Sequence, residues 1–468
     1  MTISSCIPST VRRQPLAACI AVLFALVAPE AVAANTWTVT NCNDSGPGSL
    51  RAVIAAPTTL SGDTVDLSKL RTTYACSRIS LHTGAITVAQ DSLTLLGPGD
   101  LVGISGKYNG TYQNDRVFNH TGNGELSLQY LDIYDGRLSP VAGPANGGCI
   151  ASNASVSLFR TQVFGCTATA PGGAQAHGGG IYVRGFLSLR DSAVFANKAN
   201  SGNGGGLWAG YSVSLASSTI SGNTATGSAG GAYAGRGAGL LYSTISGNAA
   251  ATVGGVLVNG HVADDRLNVI DSTISGNSAT AQTIGGVESL IPTTVKNSTI
   301  AFNTAVMASN GMAYSFAPGL TVTTGAAPTG TTIAVELQSS ILSNNTYGSG
   351  TSATELDFSS VVTPNHTLTI SGANNLVRAA LGPVVPATTT SCPLLGTLRD
   401  NGGPTQTHAL MSRSPAINTG NNAANLGTDQ RGTGYPRVSG AAADIGAYEV
   451  QQADIVFNNG FDGCPTLF

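Results

Sequence analysis

The densest run of ionisable side chains in the middle of this sequence is "NGHVADDR", residues 259–266. It sets His261 almost beside Asp264 and Asp265, while Arg236 and Glu288 lie about one repeat to either side. A histidine and carboxylates near an arginine can move protons, hold calcium or grip the hydroxyls of a saccharide. The same residues also suit a solvated turn, since charged side chains are seldom buried without partners. His261, Asp264, Asp265, Arg236 and Glu288 are therefore the candidates for a site. No catalytic group is assigned outright and no cofactor is expected, calcium being the one metal that the cluster suggests. His177, ahead of "GGG", reads as a loop residue.

The elements that would position these residues come from a repeat. "STI" and its variants place an aliphatic residue at Val163, Val194, Ile220, Ile245, Ile274, Ile300 and Ile341. The intervals run from about 25 to 31 residues, with a longer last one, which marks a repeat architecture. Three positions on stand Asn197, Asn223, Asn248, Asn277, Asn303 and Asn344, with Cys166 in the earliest unit. Each unit reads as three short strands: a glycine-led one ("GGIYV", "GGLWA", "GGVLV"), one such as "SVSL", and the "STI" strand. In "SVSLASSTI" the inward parity switches between Leu215 and Ile220, so the chain must bend near Ala216-Ser217. Coils of three strands with no room for a helix predict an all-β, right-handed parallel β-helix. In it the aliphatic residues stack inside and the asparagines form an amide ladder at a turn, where they tolerate left-handed backbone. Propeller blades and leucine-rich repeats have different periods. Asp191 and Asp271 share a slot but should lie several coils apart, too far for a carboxylate pair at ~5–5.5 Å.

The N-terminus has the form of an export signal, residues 1–33: Arg12 and Arg13, the apolar run 16–27, then Ala31-Val32-Ala33. The "LAAC" ending at Cys19 resembles a lipoprotein box, but its hydrophobic run follows the cysteine rather than preceding it. After signal removal no segment spans a membrane. Six cysteines then remain, Cys42, Cys76, Cys149, Cys166, Cys392 and Cys464. An even number in an exported chain favours disulfides; fifteen connectivities are possible, and weighting by proximity gives Cys42–Cys76 and Cys149–Cys166, which leaves Cys392–Cys464. A net charge of −3 with only 10% charged residues gives no basic excess for a phosphate backbone, so no nucleic-acid partner is expected. "GSLRAVIAA" (48–56) has Leu50, Val53 and Ile54 at helical spacing and predicts a cap on the first coil. Near the other end, Arg431 is expected to pair with Asp444 or Glu449.

Residues 36–377 resemble the right-handed β-helix repeat proteins of the pectin-lyase-like superfamily. "VTNCNDSGPGSLRAVI" resembles the N-terminal segment of CSLREA-type secreted proteins, with Gly48 where the name has its cysteine. "DNGGPT", "SPAI", "TDQRG" and "DIGAYE" resemble the choice-of-anchor Q domain, with Asn418 at a usual aspartate, and "DIVFNNGFDG" is similar to a tail on secreted Gram-negative bacterial proteins. The resemblance implies a signal peptide (1–33), an N-terminal cap with first coils (34–100), β-helix repeats (101–377), an anchor-Q-like segment (378–450) and a short tail (451–468). It also implies export to the outside or outer surface of a Gram-negative cell. Such folds serve as lyases, hydrolases, adhesins and spacers alike. The superfamily's "NTD" and "RIK" hydrolase phrases are absent. Sparse carboxylates therefore favour a non-enzymatic, adhesin-like binding or structural module, with extracellular glycans or surface proteins as partners. A polysaccharide lyase or glycoside hydrolase is the alternative.

Overall fold

The computed structural model describes residues 34–451, except 261–263, 282, 307–315, 326–329, 349–352, 384 and 387. Parallel strands stack into sheets of twelve, twelve, eleven and nine strands whose order follows the chain, one strand of each per coil. This is a right-handed parallel β-helix. One coil runs Leu207–Ala209, Val213–Ala216, Thr219–Ser221 and Thr224–Ala225. The coil thus has a fourth strand beyond the three expected. "NTA" is too short to display an alternating pattern, and only its inward Ala225 marks it. We call the four faces the glycine-led, serine, threonine and alanine sheets, in that chain order.

The core is one column per strand. Ile220 pairs with Val194 before it and Ile245 after it, and Ile274 and Ile300 continue the stack, all buried. The last member is Leu342, not Ile341. Ile300 is in register with Leu342, while Ile341 turns outward. Both residues are aliphatic, so the sequence alone could not tell which was inside. The amide ladder shifts with it: Asn303 donates to Asn345 Oδ1 at 2.8 Å, and Asn344 is not a rung. Each rung spans coils, as where Asn223 Nδ2 donates to Asn248 Oδ1 and to the carbonyl of Val194, both at 2.9 Å. Asp357 ends the ladder by accepting from Asn345 at 2.8 Å. Left-handed backbone belongs to the residue before each rung, such as Gly222, Gly247 and Asn344. The asparagine itself stays extended and buries its amide.

Helix Leu50–Ala55 covers the N-terminal end, with Ser49 as its N-cap and Leu50 and Ile54 buried. It hides the edges that a stack of strands would leave open. Cys42–Cys76 and Cys149–Cys166 are disulfides, as proximity suggested. Cys392 is disulfide-bonded too, and Cys464 lies outside the described residues. Sheet strands continue past residue 377, to Ala380–Leu381 and Thr388–Thr389. No helix among the described residues is long and apolar enough to cross a membrane.

From Leu395 to Val450 the chain folds back along the outside of the threonine sheet. Ile341, Leu376 and Ala301 meet Leu395, Leu410, Ile445 and Tyr448 there in a second apolar cluster, which is what draws Ile341 outward. Thr244 Oγ1 donates to the carbonyl of Gln406 (2.7 Å), and Thr273 Oγ1 donates to Gln430 Oε1 (2.6 Å). Ser275 Oγ is 2.8 Å from His408 Nε2. Arg431 does not take Asp444 or Glu449 as its ion-pair partner. It pairs with Asp429 at 2.8 Å, between the rings of Tyr435 and Tyr448. The carboxylates of Asp444 and Glu449 accept backbone N–H groups instead. The segment's buried ion pair to the β-helix is Arg437–Asp271, 3.1 Å apart.

Candidate functional site

The glycine-led sheet carries the candidate site, and its strands set the geometry. Each glycine pair admits a close approach of the next coil: a Cβ on Gly205 would lie 2.4 Å from the carbonyl oxygen of Gly230. The chain then enters a three-residue strand whose middle side chain points out. In register, these middle positions are Ala151, Tyr182, Trp208, Tyr233, Leu257, Glu288 and Thr321. Tyr182, Trp208 and Tyr233 form a ladder with ring centroids 4.7 and 5.5 Å apart and planes within 11°. His177 stacks on Trp208 from the preceding loop, and burial holds its imidazole below the usual value, in the neutral form. Because the faces stack on one another, the half-buried rings can offer a ligand only their edges and polar tips. Those tips are two phenol hydroxyls and an indole N–H, spaced one coil apart. Asn259 Nδ2 donates to the Tyr233 hydroxyl at 3.0 Å.

A second aromatic row flanks the first at the turn leaving this sheet. Phe186 and Tyr211 stack at 5.3 Å and are 58% and 39% exposed. The Arg236 guanidinium lies 4.3 Å over the Tyr211 ring. The two rows form an aromatic strip along the axis, and the outward column continues from Tyr233 through Leu257 to Glu288.

Of the sequence candidates, Arg236 and Asp265 meet at this turn, where a Cβ on Gly260 would contact both the Arg236 carbonyl and Asp265 Cβ. Asp265 is buried and Asp264 is exposed. Glu288 stands apart from them on the sheet face. No hydrogen bond or ion pair reaches it among the described residues, and burial raises its carboxyl to about 7. His261 lies outside the described residues. No group of three or more metal-ligating side chains occurs among the described residues. The aromatic ladder was missed by a reading that looked only for charge. Its signal lies in the second position after each glycine pair, as in "GGIYV", "GGLWA" and "GGAYA".

Glu288 makes the stability of this face depend on pH. Its folded carboxyl keeps a proton that the unfolded chain releases near its ordinary value of 4.5. Its contribution is therefore complete below that value and is lost as pH climbs through about 7. Glu288→Gln is expected to flatten the fall in urea midpoint between about pH 5 and pH 8. An unchanged slope would show that Glu288 is solvated.

No protein-family profile matches the chain, and no curated protein matches it. A solved structure titled "Crystal structure of pectate lyase Pel9A" aligns with 89% of this chain and 96% of that one, at 12% identity and a TM-score of 0.44. The chain's own strand pairing makes it a right-handed parallel β-helix.

Proposed function

We propose that this is an exported β-helix protein that binds an extended extracellular polysaccharide along the Tyr182–Trp208–Tyr233 ladder. The observation that carries the reading is the aromatic ladder itself, which lines an outer sheet face with apolar edges and hydrogen-bonding tips. A saccharide chain offers the complement, alternating C–H surfaces with hydroxyls at a similar repeat. Export is supported by the signal-like residues 1–33 and by two disulfides, which persist in oxidising compartments. The CSLREA-like start, the anchor-Q-like phrases and the similar tail support display on the outer surface of a Gram-negative cell. In this reading the module acts by adhesion, with calcium a bridging ion for an acidic glycan.

A second reading, cleavage of that polysaccharide by lyase or hydrolase chemistry, is favoured by one observation. Glu288, in the outward column beyond Leu257, has no hydrogen-bond or ion-pair partner among the described residues, and burial raises its carboxyl to about 7.

Trp208 is one of two tryptophans in the chain, so its fluorescence reports on the ladder, and the Trp208→Ala variant, which lacks that reporter, is read by titration calorimetry. Titration with polygalacturonate and with a neutral glucan, each with and without calcium, is expected to give a saturable change for at least one. Trp208→Ala should weaken that binding by tenfold or more. Binding indifferent to Trp208, or no binding to either polymer, sinks the proposal. Viscosity loss that Glu288→Gln abolishes while binding persists would establish the second reading.

A further inference from the structure

The turn between the serine and threonine sheets forms a rail along the molecule. In successive coils it places Tyr130, Arg160, Asp191, Ser217, Tyr242, Asp271, Asn297, Ser339 and Asn374 in left-handed backbone. In the C-terminal half, these residues hold the folded-back segment. The Tyr242 carbonyl accepts from Thr405 Oγ1 (3.0 Å), and Asp271 pairs with Arg437. Asn297 and Asn374 donate to the carbonyls of Asn421 and Thr419, and Ser339 Oγ accepts from the Asn421 N–H. The neighbouring strand position repeats the theme, with Thr244 Oγ1 on the Gln406 carbonyl and Thr299 Oγ1 accepting from the Ala447 N–H. The rail is thus a device for gripping the backbone of an extended, turn-rich polypeptide.

Among the described residues, nothing of the C-terminal segment beyond Pro404 covers the same rail in the N-terminal half. Thr219 stands in register with Thr244, and no residue of the C-terminal segment bonds its hydroxyl. Arg160 and Asp191 make only a loose 3.8 Å pair, with side chains 59% and 37% exposed. Gln162 lies in register between Asp132 and Ala193, and Asp132 Oδ1 has no hydrogen-bond partner. Arg160, Gln162, Asp191, Ser217 and Thr219 line a groove of about 300 Å³, and Pro404 of the docked segment forms one of its walls. The groove therefore adjoins the place where the chain's own segment leaves the rail.

We propose that this half of the rail is a docking groove for an extended polypeptide segment of a partner protein, rich in glycine and small polar residues like "DNGGPTQT" (400–407). The argument is continuity with the interface beside it. The left-handed turns run on through Ser217, Asp191, Arg160 and Tyr130. The threonine column reaches Thr219 before Ala193, Gln162 and Asp132 replace it, and the rail's demonstrated occupant is peptide backbone. A second copy of this chain is not the source, because its own segment of this type is already spent on its own rail.

The test is fluorescence anisotropy of a labelled peptide of residues 400–410, and of a scrambled version, titrated with the full chain. Saturable binding of the native-order peptide is expected. It should weaken at least tenfold with Gln162→Ala combined with Thr219→Val, and with Arg160→Ala, and stay unchanged with Trp208→Ala. Absence of saturable binding at millimolar concentration overturns the proposal. So does loss on Thr244→Val alone, which would mean that the peptide merely displaces the built-in segment. An oligosaccharide whose saturation-transfer signal depends on Gln162 and Thr219, with no peptide binding, overturns it in favour of a glycan.

Discussion

Arg437→Met is expected to loosen the whole C-terminal segment, at a cost of about 3–5 kcal/mol, because removing one partner strands a buried charge. Arg437 and Asp271 both have fully buried side chains. The guanidinium also donates to the carbonyls of Asp444 (2.6 Å) and Gly446 (2.8 Å), so three acceptors lose their donor at once. Even the intact pair is incompletely bonded, since Asp271 Oδ2 and Arg437 Nε have no hydrogen-bond partner. Burial pushes the Asp271 carboxyl well above the usual range, with Arg437 pulling it back. Without Arg437, Asp271 should hold its proton to still higher pH. Folded Asp271 would then bind a proton that the unfolded chain does not, so the variant is most damaged at alkaline pH and recovers on acidification. Limited proteolysis should cut residues 395–450 of the variant faster at about pH 8 than at about pH 5. Adding Asp271→Leu should restore most of the loss, as apolar replacements of buried pairs do. A variant as resistant as the parent at both pH values would show that the apolar cluster around Ile341, Leu376 and Tyr448 suffices alone.

That segment also marks where the sequence stopped being readable. The β-helix was legible because each coil repeats its instruction. Ile220, Ile245, Ile274 and Ile300 fall at one phase, and Asn223, Asn248, Asn277 and Asn303 follow each at the same distance. The N-terminal cap was legible from the spacing of Leu50 and Ile54. Parity failed at Ile341-Leu342, where two aliphatic residues adjoin and only an outside apolar partner decides which turns in. The partner of Arg431 failed for a similar reason. Asp429, Asp444 and Glu449 are all near in sequence and each accepts two backbone N–H groups, so nothing local distinguishes the one whose carboxylate the turn brings against the guanidinium. The union of Asp271 with Arg437 joins residues far apart in the chain, and no local pattern encodes it. At the candidate site, the turn column expected from the sequence holds Arg236 and Asp265 but not Glu288, which lies on the strand, and the aromatic ladder is hard to read because its residues differ from coil to coil.

The two kinds of column differ in what they tolerate. An aliphatic stack can exchange Val for Ile with modest loss. A buried amide rung has no such latitude, because each asparagine both donates and accepts along the axis. Asn248 is fully buried. Its Oδ1 accepts from the backbone N–H and the Nδ2 of Asn223, both at 2.9 Å, while its Nδ2 donates to Asn277 Oδ1 and the Ile220 carbonyl.

Asn248→Ala should therefore destabilise the β-helix by about 3 kcal/mol or more, since each buried polar group left without a partner costs ~1–3 kcal/mol. Ser214→Ala, on the exposed serine column, should stay within ~0.5 kcal/mol. The decisive readout is amide hydrogen exchange in the folded protein. The Asn223 N–H loses its acceptor in the variant and should exchange faster. The N–H of residue 248 still donates to Asn277 Oδ1 at 3.0 Å and should remain protected. Equal acceleration at both amides would mean that the coils separate as a whole, and that the ladder contributes through packing rather than through its directed hydrogen bonds.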